Sequence, residues 1–133
     1  MVRLRAVPRT ASGAAQAVTS VWENAKKKER GEQTALERVL DIAPSLPALM
    51  RAQKAVRREQ QAKGEARGLQ AALEDARCAV NALTQEGAGE RELGAALMSL
   101  CAAAHAMDLD AETALRSAIA ANVERLRREE QKA

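Results

Sequence analysis

The sequence predicts an all-α fold, a four-helix-type bundle with an extra helix ahead of it. Three observations lead there. Hydrophobic residues make up 47% of the 133, yet Trp22 is the sole aromatic, with no Phe and no Tyr. A core of Leu, Val, Met, Ile and Ala suits helices, whose backbones approach closely over small side chains, and not sheets, which favour β-branched and aromatic residues. Apolar residues recur at spacings of three and four in successive segments, the period of one helix face. Gly31, Gly64, Gly68 and Gly87-Ala88-Gly89 punctuate those segments.

Residues 1–13 hold Pro8, Ser12 and Gly13 without a sustained period and read as a flexible tail. Residues 14–44 read as a helical linker segment. Its first helix is expected from Ala14 to Arg30, with Val18, Val21, Trp22 and Ala25 on one face, and Gly31 ends it. Leu36, Val39 and Leu40 form a further turn or two before Ala43-Pro44. Residues 45–133 form the bundle domain. Ser45 is the expected N-cap of a helix from Leu46 to about Ala62, with Pro47 in its first turn and Leu46, Leu49, Met50, Gln53 and Val56 on one face. Gly64 and Gly68 mark the next connection. Leu69, Leu73, Ala76, Val80 and Leu83 then form a seam that runs to Gly87-Ala88-Gly89. Leu93, Leu97, Leu100, Ala104 and Met107 repeat it in the following helix. Asp110 caps the last helix, with Glu112 in its first turn and Leu115, Ile119, Asn122 and Leu126 along it, before a charged end expected to fray. Short connections make successive helices antiparallel neighbours. Three seams are more apolar stripe than one small bundle buries, so a homodimer is expected.

The net charge of +3 is uneven. Residues 1–67 carry 14 Lys/Arg against 7 Asp/Glu, and residues 68–133 carry 7 against 11. The basic half suits phosphates or an acidic partner surface, or is a solvated helix face. No apolar run reaches the roughly 18 residues of a membrane span. Arg3, Arg5 and Arg9 precede no apolar stretch of the kind a secretory leader has. Cys78 and Cys101 form no CxxC and lie in helical patterns, where buried reduced thiols are expected. The expected setting is cytoplasmic, with no membrane partner.

Three stretches resemble the MazG family of nucleoside triphosphate pyrophosphohydrolases. The first is Trp22-Glu23-Asn24-Ala25-Lys26-Lys27-Lys28-Glu29-Arg30, similar to W-x-x-x-K-x-x-E-R. The second is Ser45-Leu46-Pro47-Ala48-Leu49-Met50-Arg51-Ala52-Gln53-Lys54, similar to SLPALxRAxK and the most specific of the three. The third runs through Glu92-Leu93-Gly94, Ala104-His105 and Asp110-Ala111-Glu112-Thr113-Ala114-Leu115. The resemblance spans residues 20–130 or so. It implies an all-α fold that dimerises and a Mg²⁺-dependent cleavage of nucleoside triphosphate to monophosphate and pyrophosphate. Mg²⁺ is a hard cation held by carboxylates together with substrate phosphates. In the family E-x-x-E on one helix and E-x-x-D on the next supply them, each pair sharing a helix face.

Measured against that pattern, this chain has lost ligands. Ala71-Ala72-Leu73-Glu74-Asp75 stands where EExxE is expected, so the acids reduce to Asp75, with Glu74 as the alternative in a shifted register. Glu92 remains of the second pair, but Ala95 occupies its Asp position. In the last helix Arg125 matches a family residue, while Ile119 and Ala121 replace an Asn and a Lys that can contact phosphate or metal. The resemblance makes Asp75 and Glu92 the metal candidates and Lys54 and Arg125 the substrate-binding candidates. The aromatic GFDW-like segment is absent, since the chain reads Gln61-Ala62-Lys63-Gly64-Glu65 there. A different acidic site built from Glu74, Asp75, Glu86, Glu90 and Glu92 has no motif behind it. His105 near a helix end reads as structural, because it has no second His or nearby Cys for zinc. No nucleophile–base arrangement and no Gly-rich phosphate loop stand out, and the catalytic residues stay unassigned.

Two readings follow from the resemblance: a catalytically impaired domain that dimerises or binds a nucleotide or protein partner, and an active pyrophosphohydrolase with an atypical acidic Mg²⁺ site. A third reading is a basic nucleic-acid binder using residues 26–30 with Arg51, Lys54, Arg57 and Arg58. Without aromatics for base stacking it predicts no specific nucleic-acid partner.

Overall fold

The computed structural model describes Trp22 and residues 33–133, which form five helices in chain order: α1 Ala35–Leu40, α2 Ala48–Lys63, α3 Leu69–Ala82, α4 Glu90–Ala106 and α5 Ala111–Lys132. No strand occurs among the described residues, as the composition implies. Trp22 is helical and 61% exposed. The tail expected over 1–13 and the rest of the helix expected from Ala14 to Arg30 lie outside the described residues.

A reciprocal capping box starts α1. The Thr34 hydroxyl accepts from the Glu37 N–H at 3.2 Å, and the Glu37 carboxylate accepts from the Thr34 N–H at 3.0 Å. Helix α2 begins two residues later than the sequence suggests. Pro47, not Ser45, is its N-cap, with extended backbone at φ −54° and ψ 145°. A residue before proline is driven out of the helical region, so Leu46 turns back on Ala43 (N–H to carbonyl, 3.3 Å) and cannot join the helix. Gly64 ends α2 at φ 66°, a left-handed conformation that glycine takes without strain.

Helix α3 ends at Ala82 and does not run on to Gly87. It packs against α4, which also packs against α2; α2 in turn carries α1, and α5 touches α2 and α4 more lightly. The α3–α4 contact is made of alanine. Ala72, Ala76 and Ala103 are buried together, with Ala106 against them. On the other flank of α4, the buried Cys101 thiol meets the Leu49 carbonyl of α2 at 3.9 Å.

The expected seams are contact surfaces only in part: Ala76 of the α3 seam is buried in the cluster, but the larger apolar residues beside it are not. Leu69, Leu73 and Val80 on α3 are 40–44% exposed, and Leu93, Leu97 and Leu100 on α4 are 46–49% exposed. At 100° per residue, the α4 leucines lie between the Ala96–Ala103 face turned to α3 and the Cys101 face turned to α2. The period identified residues sharing a face; the close approach that alanine permits decided which face packs. Helix α5 has the same character, with Leu115, Ile119 and Leu126 45–56% exposed. It continues to Lys132 without fraying. Arg125–Glu129 at 2.7 Å and Arg127–Glu124 at 2.8 Å tie successive turns of its charged end.

Asp110 caps α5 as expected, accepting from the Thr113 N–H at 3.1 Å. The cysteines differ from expectation, because Cys101 is buried but Cys78 is exposed on the outer side of α3. No helix among the described residues is long and apolar enough to cross a membrane.

Candidate functional site

The acids that the sequence offers for metal are engaged within the chain. Arg67, just ahead of α3, clasps Asp75 with two parallel hydrogen bonds of 2.9 and 2.8 Å. That guanidinium holds the Asp75 carboxyl below its ordinary value, first through the hydrogen bonds. Glu74 lies one position round the helix and is clasped in the same way by Arg77 at i+3, which lowers its pKa. Glu92 accepts from the Gly89 N–H at 2.8 Å, supplying half of a capping box at the start of α4, and its pKa is lowered mainly by that bond. Each carboxylate thus has a local structural partner. Among the described residues no three His, Cys, Asp or Glu side chains converge as a metal cage.

Ala72 and Ala95, which stand where the resemblance expects acids, differ in setting. Ala95 is exposed, whereas Ala72 is 1% exposed inside the α3–α4 contact. A carboxylate at 72 would be driven into the alanine interface. Ile119 and Ala121 are both exposed on α5.

Lys54 and Arg125 are not brought together. Arg125 binds Glu129 and Asn122 at 2.7 Å each, fourteen residues into α5 and so about 21 Å along that helix from its start. Lys54 instead lines an open cleft of ≈600 Å³ between α2 and the α4–α5 turn. Met50, Gln53 and Arg57 line the same wall, and His105, Asp108, Leu109 and Asp110 face them. A second cleft of ≈310 Å³ shares Lys54 and Arg57 and adds Arg38, Asp41, Arg58 and Gln61. The two are halves of one depression on either side of the Lys54–Arg57 pair.

Local chemistry holds this depression open. The Gln53 side chain spans α2 and the start of α5: its Nε2 donates to the Leu109 carbonyl, and its Oε1 accepts from the Ala111 N–H at 2.8 Å. At the far end Arg58 donates to the Arg38 carbonyl at 2.9 Å, and Arg38 donates to Gln61 at 3.0 Å. The α4–α5 turn puts Asp108 at φ 58°, a conformation glycine usually takes at a helix end. Of the basic cluster that the sequence groups, Lys54, Arg57 and Arg58 line the depression and Arg51 does not. Local patterns do not place Arg38 or the Asp108–Asp110 turn beside them, and His105, which reads as structural, lines the cleft.

No protein-family model, curated protein or solved structure matches the chain.

Proposed function

We propose that the chain is a catalytically impaired MazG-type domain that acts as a homodimerising, binding module in the cytoplasm. The observation that carries this reading is the uncovered apolar surface. The leucine faces of α3, α4 and α5 stand 40–56% exposed while the chain's own core is mostly alanine. Contiguous apolar faces of this kind on a small helical domain mark association surfaces. A second copy offers the same stripes at the same spacing, which is what a two-fold interface needs. Impairment is supported by the engagement of Asp75, Glu74 and Glu92 with Arg67, Arg77 and the Gly89 N–H. A Mg²⁺ ion would have to displace those partners before using these oxygens.

Light scattering on the purified chain at micromolar concentration tests the dimer. The expected mass is twice 14.3 kDa, and Leu97→Glu with Leu100→Glu should reduce it to one. A wild-type monomer sinks the proposal. Magnesium calorimetry with and without a nucleoside triphosphate tests the impairment. Pyrophosphate release at about 1 s⁻¹ or faster, lost in Glu92→Ala, would establish an active enzyme with an atypical acidic site instead.

A further inference from the structure

We infer that the depression around Lys54 and Arg57 is a binding site for a phosphate ester whose organic part carries hydroxyl or amine donors. The inference shares Lys54 with the substrate-binding candidates of the resemblance, but it uses neither the acids of α3 and α4 nor the leucine faces and so fails or stands separately from the metal and dimer reading.

Among the described residues, half-buried positive charge without an anionic partner collects in one place. Lys63, Arg67, Arg77, Arg116, Arg125 and Arg127 each have a carboxylate partner, and all are exposed. Among the described residues three Lys/Arg are half-buried: Arg38, Lys54 and Arg58. All three line this depression, together with the exposed Arg57, and none of the four is in an ion pair with a described residue. Half-burying a cation without an anion beside it is unfavourable. Doing so three times in one concavity leaves a place whose missing component is an anion. Among the described residues Asp41 is the one carboxylate lining the basic half.

The chemistry of the two halves sets the ligand class. In the basic half, Arg38 and Arg58 are held in place by their bonds to Gln61 and to the Arg38 carbonyl, so their positions are fixed before any ligand arrives. A phosphate there would accept charge-assisted hydrogen bonds from guanidinium groups and the Lys54 ammonium. The other half changes sign across the cleft. Met50 and Leu109 give it apolar wall, and Asp108 and Asp110 give it acceptors. A second phosphate would meet those two carboxylates, so a bare polyphosphate fits poorly. A sugar or nucleoside phosphate fits, with its phosphate between Lys54, Arg57 and Arg58 and its hydroxyls toward Asp108 and Asp110.

The test titrates the full-length chain, in chelator and without Mg²⁺, with ribose 5-phosphate, inorganic phosphate and inorganic pyrophosphate, followed by amide chemical shifts and calorimetry. Ribose 5-phosphate should bind saturably and more tightly than either inorganic anion, with the largest shifts on α2 and the α4–α5 turn. Lys54→Gln with Arg57→Gln keeps the side-chain bulk and should weaken it about tenfold or more, since hydrogen bonds to charged groups are the strong ones. Arg128→Gln, on the exposed end of α5, should leave it unchanged. Circular dichroism of each variant checks the fold, and Asp108→Asn gives a second variant outside the basic half that should narrow the preference for the sugar phosphate. Absence of saturable binding overturns the inference, as does binding indifferent to the double substitution. Pyrophosphate binding tighter than the ester overturns the ligand class. A single-stranded oligonucleotide held more tightly than any of these at physiological salt would make the depression part of a nucleic-acid surface, and also overturns it.

Discussion

Gln53 is the point at which α5 can be detached from the rest of the molecule. Its side chain donates to the Leu109 carbonyl and accepts from the Ala111 N–H at 2.8 Å, two bonds joining residues 56 and 58 positions apart. Apart from these bonds, α5 meets α2 and α4 only lightly, and its apolar stripe is half exposed. Each hydrogen bond contributes about 1 kcal/mol net. The better helix propensity of alanine returns a few tenths of a kcal/mol. Gln53→Ala should therefore lose about 1.5 kcal/mol. For a domain of about a hundred residues that is a fall in Tm of about 6–12 °C. Gln53→Glu keeps the acceptor for Ala111 but loses the donor to Leu109, and should fall roughly half as far. Chemical denaturation at fixed protein concentration gives the free energy, a control that matters because association shifts apparent stability. Hydrogen exchange then locates it: amides from Ala111 through Arg116 should lose protection in Gln53→Ala while those of α3 keep theirs. A loss below 0.5 kcal/mol with α5 protection unchanged would refute the idea that this side chain is the clamp, since two net bonds of that strength cannot vanish without trace.

Asp108→Gly should stabilise the chain by about 0.5–1 kcal/mol, because φ 58° strains any residue with a Cβ; a thermal melt that falls instead would show that the Asp108 carboxylate does more for the turn than its backbone costs. Acid should destabilise the α3–α4 region. Asp75, Glu74 and Glu92 have folded pKa values below their ordinary 3.8 and 4.5, so their contribution is complete above those values and is lost as pH falls through the depressed folded ones. Unfolding followed by circular dichroism should accordingly hold steady down to pH 5 and decline below about pH 4, and Arg67→Ala should flatten part of that decline. A thiol reagent at neutral pH should modify Cys78 quickly and Cys101 only on unfolding, because Cys101 is buried and burial raises its pKa; two fast thiols in the folded chain would contradict the packing of α4 on α2.

What could be read in the sequence follows from the range of the interactions involved. Helix existence was legible from short-range signals: the 3–4 period, Asp110 ahead of Thr113, and Gly64 at the end of α2. The Thr34 capping box is equally visible as a Thr-x-x-Glu spacing, a signal that the apolar reading of α1 does not use. The start of α2 was misplaced because Ser45 looked like a cap, while the steric demand of Pro47 on Leu46 is stronger than a capping hydroxyl. Which face of α3 and α4 packs was not legible. The alanine and leucine faces of α3 stand only some 60–80° apart, and the choice between them depends on how closely two backbones can approach. The engagement of Asp75 by Arg67 is not legible for a related reason, since the two stand eight positions apart, beyond the i,i+3 and i,i+4 pairs that share a helix face. The depression around Lys54 depends on Arg38 and on the Asp108–Asp110 turn, which only tertiary structure places beside α2.

The alanine contact between α3 and α4 has a consequence for how this chain can change over generations. Ala72, 1% exposed, sits where two backbones already lie close. Any longer side chain there must push the helices apart, typically at 1–3 kcal/mol. A carboxylate must also leave water, and an unpartnered buried charge costs several kcal/mol more. A domain of ordinary stability, about 5–15 kcal/mol, would spend much of its margin on that one substitution before a second could make it useful. Selection acting one codon at a time therefore meets a barrier at this position. Ala95, exposed on α4, presents no such barrier and is free to drift. The two positions, one buried and one exposed, therefore accept change on very different terms.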